Sequence, residues 1–286
     1  MPSEGSKPYV KIALDFMLLA IVGVPLLVFL FIGTPYRRGF FCDDDSIRYP
    51  YKDSTISNIT LYCVAILGPV IVMTIVEGII CKKCKLSFKE KKYFCGYSIS
   101  YYVFQLYHTV GVFAFGGCIS QLATDIAKYS IGRLRPHFID VCQPDQSLTE
   151  CTHEYILNYE CTSSDEDKIQ EARLSFPSGH ASFSAYAMIY LTVYLQYRMV
   201  CPKNSLLRPF LQAGALLTSW YIGLTRVMDF MHHWSDVLSG FLIGTVVSLL
   251  VVLFIADWKK PPDRNCLPVG TYTTCEVELQ LENQAV

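Results

Sequence analysis

The chain has 286 residues, 52% of them hydrophobic and 17% charged, with a net charge of −1. Soluble domains run nearer to about 25% charged, so a soluble globule is a poor reading. With no basic field to attract it, nucleic acid is excluded as a partner. Disorder and an outer-membrane barrel fit no better, because the apolar residues come in long unbroken stretches.

Six segments carry no Asp, Glu, Lys or Arg: 16–36, 54–76, 93–124, 174–197, 209–225 and 237–256. A helix needs about 20 such residues to cross the hydrocarbon. The pattern predicts spans near 12–33, 59–80, 99–122, 180–199, 208–225 and 237–256. The fold class is therefore all-α, an integral membrane protein of six transmembrane helices. The first apolar run is too long for a signal-peptide core, and no small-residue cleavage site follows it, so it is read as a retained span. The expected organisation is a cytosolic N-terminus at 1–11, a six-span domain at 12–258 and a cytosolic tail at 259–286. The tail is polar and aperiodic and is expected to be disordered.

An even number of spans puts both termini on one side. That side holds 14 of the 24 Lys and Arg residues, six of them between Lys82 and Lys92. Cytosolic loops retain positive charge, so the termini face the cytosol and the first, third and fifth loops face outside or the lumen. Cysteine usage agrees. Cys42, Cys142, Cys151 and Cys161 fall on the oxidising side, where four thiols allow three pairings. Cys151 and Cys161 close a short loop and are the first expectation. Cys81 and Cys84 form one C-x-x-C on the cytosolic side, too little for a zinc site without a second ligand pair. Asp15 and Glu77 lie inside spans. Acids there commonly mark function, but both sit near the cytosolic ends and are read as structural or protein-contact groups. Asn58 opens a formal glycosylation sequon that abuts the second span.

The third loop, about 124–178, is the longest hydrophilic segment, and chemistry-bearing residues cluster at its two ends and in the fifth loop. The first cluster runs from Lys128 to Arg135-Pro136. The second is Pro177-Ser178-Gly179-His180. The third runs from Thr225-Arg226 through His232 to Asp236. Each alone has a bland explanation: snorkelling cations, a helix cap, a histidine near water. Together, Lys128, Arg135 and Arg226 supply three cations suited to phosphoryl oxygens. Ser178 and Gly179 precede a helix whose first N–H groups form an anion site. His232 and Asp236 are four apart and, if helical, share a face, so that the carboxylate can hold one imidazole nitrogen. His180 is a second imidazole for acid–base work.

These clusters match K-x6-R-P, P-S-G-H and S-R-x5-H-x3-D, and the chain resembles the type-2 phosphatidate phosphatase superfamily. Thr34-Pro-Tyr-Arg-Arg-Gly-Phe-Phe-Cys42, Ser46-Ile-Arg-Tyr-Pro-Tyr51 and Asp125–Phe138 resemble its animal lipid phosphate phosphatases. The resemblance covers roughly residues 8–258. It implies that His232 attacks phosphorus and forms a phosphohistidine, and that Asp236 orients it. His180 is implied to protonate the leaving oxygen and then to activate water. Lys128, Arg135, Ser178, the Gly179 amide and Arg226 are implied to bind phosphate oxygens. No metal and no other cofactor is implied.

The implied substrates are membrane lipid phosphates: phosphatidate, lysophosphatidate, sphingosine 1-phosphate and ceramide 1-phosphate. The site is expected at the exoplasmic membrane interface and the protein at the plasma membrane, with endoplasmic reticulum, Golgi or endosomal membranes as alternatives. Assembly as a homo-oligomer is expected. Three positions depart from the family pattern. Thr225 replaces a serine, Met231 stands where relatives often carry Lys, and Glu150-Cys151-Thr152 replaces a common sequon. A catalytically silent binding protein is the main rival, and the presence of every motif residue argues against it. A transporter is disfavoured, because the sequence lacks the inverted repeat and broken-helix pairs expected of one.

Overall fold

In hydrocarbon a helix satisfies its own backbone, and six long helical segments form among the described residues. The computed structural model describes residues 8–83, 91–94, 97–145, 153–199 and 206–256. In chain order the helices are α1 (Pro8–Ile32), α2 (Asn58–Tyr62), α3 (Gly68–Lys83), α4 (Tyr101–Ile131), α5 (Phe138–Cys142), α6 (Glu166–Glu171), α7 (Gly179–Arg198), α8 (Leu207–Met228) and α9 (Trp234–Phe254). A π turn at Cys63–Leu67 joins α2 to α3 as one segment. Short strands add to the all-α expectation. β1 (Phe40–Phe41) pairs antiparallel with a later strand, as β2 (Lys91–Phe94) does with β3 (Tyr97–Ser100). The partner of β1 is β4 (Tyr155–Ile156), with Phe40 opposite Ile156.

Among the described residues, four helical segments are long and apolar enough to cross a membrane: Ile12–Ile32, Asn58–Lys82, Tyr102–Ile131 and Trp234–Phe254. The other two expected spans, at 180–199 and 208–225, correspond to α7 and α8, which are helical but less apolar. The reason is packing. α7 is covered by α3, α4, α8 and α9, and its Ser182, Ser184, Tyr186, Tyr190, Tyr194 and Arg198 are all buried. A helix wrapped by other helices has no lipid face to keep apolar. α8 turns Phe210, Leu217 and Trp220 outward and buries Ala215, Ser219 and Ile222. The exterior is apolar over much of its area, with Phe31, Ile59, Leu242 and Phe254 exposed, as befits a membrane protein.

The tyrosines of α7 tie the bundle together. Tyr186 donates to the Phe113 carbonyl at 2.7 Å and Tyr194 to Glu77 Oε1 at 2.8 Å. Arg198 closes the same carboxylate, with Nε to Oε1 at 2.9 Å and Nη2 to Oε2 at 2.6 Å. Glu77 is thus a structural group linking α3 to α7. Asp15 on α1 accepts from the Tyr107 hydroxyl of α4 at 3.2 Å. α7 and α9 approach most closely. A Cβ on Gly240 or Gly244 would run into the carbonyls of Ser178 and Ser182, so glycine on this face of α9 lets the two backbones touch. That contact sets the start of α9 beside the start of α7.

Segments 33–57, 132–145, 153–178 and 229–233 meet at one end of the bundle. α4 continues to Ile131, past the predicted loop start at 124, so Lys128 stands on a helix. The disulfide corrects the expected Cys151–Cys161 pairing: Cys142 bonds to Cys161. Nearness in sequence was the wrong guide. α5 ends at Cys142, Pro144 bridges to Cys161, and Thr162 donates its N–H to the Cys142 carbonyl at 3.1 Å. Cys42 is disulfide-bonded too. Cys151, the sequence 150–152, Cys84 and the tail beyond 256 lie outside the described residues.

Candidate active site

α7 begins where the chain turns in from the third loop. Ser178 is the N-cap, its Oγ accepting from the Ala181 N–H at 3.4 Å. Its own N–H donates to the Asp236 carbonyl at 3.0 Å. The cap uses a lone pair and leaves the hydroxyl proton available. The Gly179 and His180 amides belong to the first turn, which a helix does not satisfy internally. Lys128 reaches this turn from α4, and a Cβ on Gly179 would stand 3.3 Å from its Nζ. Glycine here keeps the ammonium and the open amides within reach of one anion.

His232 sits in the loop before α9, and this differs from the expectation of a shared helical face. The helix starts at Trp234 with His233 as N-cap. Asp236 is the third residue of its first turn, and its carboxylate returns to the His233 N–H at 3.0 Å. Asp236 Oδ2 is 3.9 Å from His232 Nδ1, beyond hydrogen-bond range. His232 Nδ1 instead bonds to the Ser175 carbonyl at 2.7 Å. A carbonyl only accepts, so Nδ1 carries the proton and Nε2 keeps its lone pair. Burial pushes the His232 pKa well below its ordinary value, and the charges of Arg135 and Lys128 and the neighbouring His180 push the same way. The ring is neutral at physiological pH.

Arg135 and Lys128 lie within electrostatic reach of this ring, and Arg226 within reach of Arg135 and His180. Arg135 is buried. One of its nitrogens binds Glu171 Oε1 at 3.1 Å and also points at Met231 Sδ at 3.3 Å, while its Nε has no partner. Met231, one of the family departures, is thus buried against Arg135. Arg226 is 1% exposed. It donates to Ser54 Oγ at 3.2 Å and to Thr225 Oγ1 at 3.2 Å, with Asp229 Oδ2 at 3.4 Å. Thr225 therefore does with its hydroxyl what a serine would. His180 lies within electrostatic reach of Arg226, Lys128 and Arg135. Lys128, Arg135, Ser178, Gly179, His180, Arg226, His232 and Asp236 all converge on one end of the bundle. An arrangement of neutral imidazole, second imidazole, open amides and three cations can accept a phosphoryl group and move it.

A family model described as the PAP2 superfamily matches residues 109–260, a little over half of the chain. Phospholipid phosphatase 1 of Rattus norvegicus is 43% identical over 258 residues, covering 90% of this chain and 88% of the relative. The chain belongs to the PAP2 superfamily. Phospholipid phosphatase 2 of Homo sapiens is 40% identical, covering 91% of this chain and 88% of its own. A crystal structure of a transmembrane PAP2-type phosphatidylglycerolphosphate phosphatase from Bacillus subtilis covers 87% of this chain and 95% of its own at 19% identity, with a TM-score of 0.34.

Several residues of this PAP2 site carry no motif signal. The end of the first loop crosses the site as a strap. Thr55 gives its N–H and hydroxyl to Asp229 at 2.7 and 2.8 Å, Lys52 pairs with Asp229 at 3.3 Å, and Ser54 meets Arg226. The Ile56 carbonyl lies 3.2 Å from His180 Nε2. These donors and acceptors hold Asp229 ionised, its pKa lowered against the effect of burial. Arg133 binds Asp236 Oδ1 at 2.5 Å and Ser235 Oγ at 2.8 Å. His137 Nδ1 meets the Phe230 carbonyl at 2.9 Å. The strap lies outside residues 109–260 and was signalled only by the Ser46–Tyr51 resemblance just before it.

Proposed function

We propose that this chain hydrolyses lipid phosphate monoesters, among them phosphatidate, lysophosphatidate, sphingosine 1-phosphate and ceramide 1-phosphate, at the exoplasmic face of a six-span membrane domain. The observation that carries the reading is the placing of His232, its Nδ1 on the Ser175 carbonyl at 2.7 Å and its ring within electrostatic reach of Arg135, Lys128 and His180. His232 Nε2 attacks phosphorus and the P–O bond to the lipid breaks. His180 gives its proton to the leaving alkoxide. Water then attacks the phosphohistidine, His180 takes the water proton, and the N–P bond breaks to release phosphate. Lys128, Arg135, Arg226, the Ser178 hydroxyl and the Gly179 amide hold the phosphoryl oxygens, where preorganised donors matter most. Three cations supply the charge that magnesium supplies elsewhere, so activity is expected to be metal-independent.

The curated relatives' names support the substrate class, and the lysine-rich segment 82–92 supports an outward-facing site at the plasma membrane. Recognition of the headgroup alone explains breadth toward the lipid chains. The test is phosphate release from a panel of lipid phosphates added outside intact cells, with and without EDTA, against a His232→Ala control. Release by intact cells that survives chelation is expected. Activity that appears only after permeabilisation overturns the surface orientation, and activity lost to EDTA and restored by magnesium overturns the metal-free mechanism.

A further inference from the structure

We propose that Ser175 is the positioning residue through which Asp236 acts on His232. The inference rests on His232 being the nucleophile. Ser175 lies three residues before the P-S-G-H cap and is fully buried, as is Asp236. Its carbonyl takes the His232 Nδ1–H at 2.7 Å, whereas the nearest Asp236 oxygen is 3.9 Å from that nitrogen. The Ser175 hydroxyl donates to Asp236 Oδ2 at 2.6 Å, and the Ser175 N–H donates to the Arg133 carbonyl at 2.9 Å. Arg133 closes the ring through its side chain, bound to Asp236 Oδ1 at 2.5 Å.

A residue pinned at both its N–H and its side chain has little freedom left to swing its carbonyl. Asp236 therefore aims the acceptor that aims the imidazole. It touches no reacting atom, and its charge is already balanced by Arg133. The arrangement also gives the nucleophile a neutral partner. A carbonyl leaves the proton on Nδ1, so the phosphorylated ring stays cationic and departs readily when water attacks.

The experiment is a double-mutant cycle on the full chain in detergent micelles. A radiolabelled aryl phosphate is mixed and quenched rapidly, and the rate of phosphoenzyme formation is read for the wild type, Ser175→Ala, Asp236→Asn and the double variant. Misplacement of a reacting group by about an ångström costs about 10²-fold. Each single variant should lose about that much in rate with little change in KM, and the double variant should be no slower than the slower single, since one path has been cut twice. Losses that multiply in the double variant, or a Ser175→Ala rate equal to wild type, overturn the proposal. Ser175→Cys, which keeps a weaker donor in place, takes its part in the cycle if the alanine variant does not fold. A wild-type phosphoenzyme whose label is not on His232 overturns the catalytic reading first and this inference with it. A label on His232 with multiplying losses overturns the inference alone.

Discussion

Two buried clusters of charge stand at opposite ends of the same helices. At one end Glu77 meets Arg198 and Tyr194, and both carboxylate oxygens and the arginine fork are filled by one another. At the other end Lys128, Arg135 and Arg226 gather around His232. There Arg135 Nε has no hydrogen-bond partner among the described residues, and the His232 ring, its Nδ1 on the Ser175 carbonyl, lies within electrostatic reach of Arg135 and Lys128. Burial and charge are common to both. The difference is saturation: a closed cluster staples helices, and an open one waits for a ligand. A charged residue inside a membrane bundle marks a site when its bonding capacity is incomplete, not simply because it is there.

The open cluster is broken most severely at its two histidines. His232→Ala should form no phosphoenzyme with any substrate. His180→Ala should lose about 10²–10⁴-fold on lipid substrates, whose alkoxide leaves poorly. With an aryl phosphate it should still accumulate an acid-labile phosphohistidine, because His180 also activates the water. Rapid quenching checks this, and label in the His232 variant would reverse the roles. The closed cluster should respond in stability instead. Glu77→Ala or Arg198→Ala strands a buried charge and should cost about 3–5 kcal/mol, while replacing both with apolar residues of similar size should cost far less. Denaturation in detergent reads the difference, and the specific activity of the folded fraction should not change.

His137 tests the edge of the site. Burial and nearby Arg135 push its pKa from 6.5 down to about 4. Between those values the unfolded chain binds a proton that the folded one refuses. Stability should therefore fall as pH drops from about 6.5 toward 4, by at most about 1.4 kcal/mol per pH unit from this group, and be flat above. His137→Gln should flatten that slope. The smallest effect is expected at Glu171, 62% exposed and 3.1 Å from Arg135. An exposed partner is worth about 1 kcal/mol or less, so Glu171→Gln should lower KM by no more than about fivefold with kcat unchanged.

The six helices were legible because hydrocarbon demands long apolar runs, and the motif residues because phosphoryl chemistry demands particular side chains. What escaped was set by partners far away in sequence. α7 falls short of a span by composition because its neighbours, not lipid, cover Tyr186 and Tyr190. The Cys142–Cys161 bond follows from where α5 stops. Ser175 and Ile56 contribute backbone carbonyls, which every residue owns and no motif can advertise. Asp236 was expected to touch His232 on one helical face, and the fold instead starts the helix two residues too late for that.

The hydrogen bond from the Ser178 N–H to the Asp236 carbonyl has a consequence for biogenesis. The cap of α7 and the aim of His232 both depend on residues at the head of α9, which is synthesised after every other described helix. While the chain is being made, α7 exists before the head of α9 does, so its first turn lacks the Asp236 carbonyl that accepts the Ser178 N–H. The cluster comes together only when α9 docks its glycine face, so on the proposed mechanism a chain that has not yet placed α9 carries no phosphatase activity.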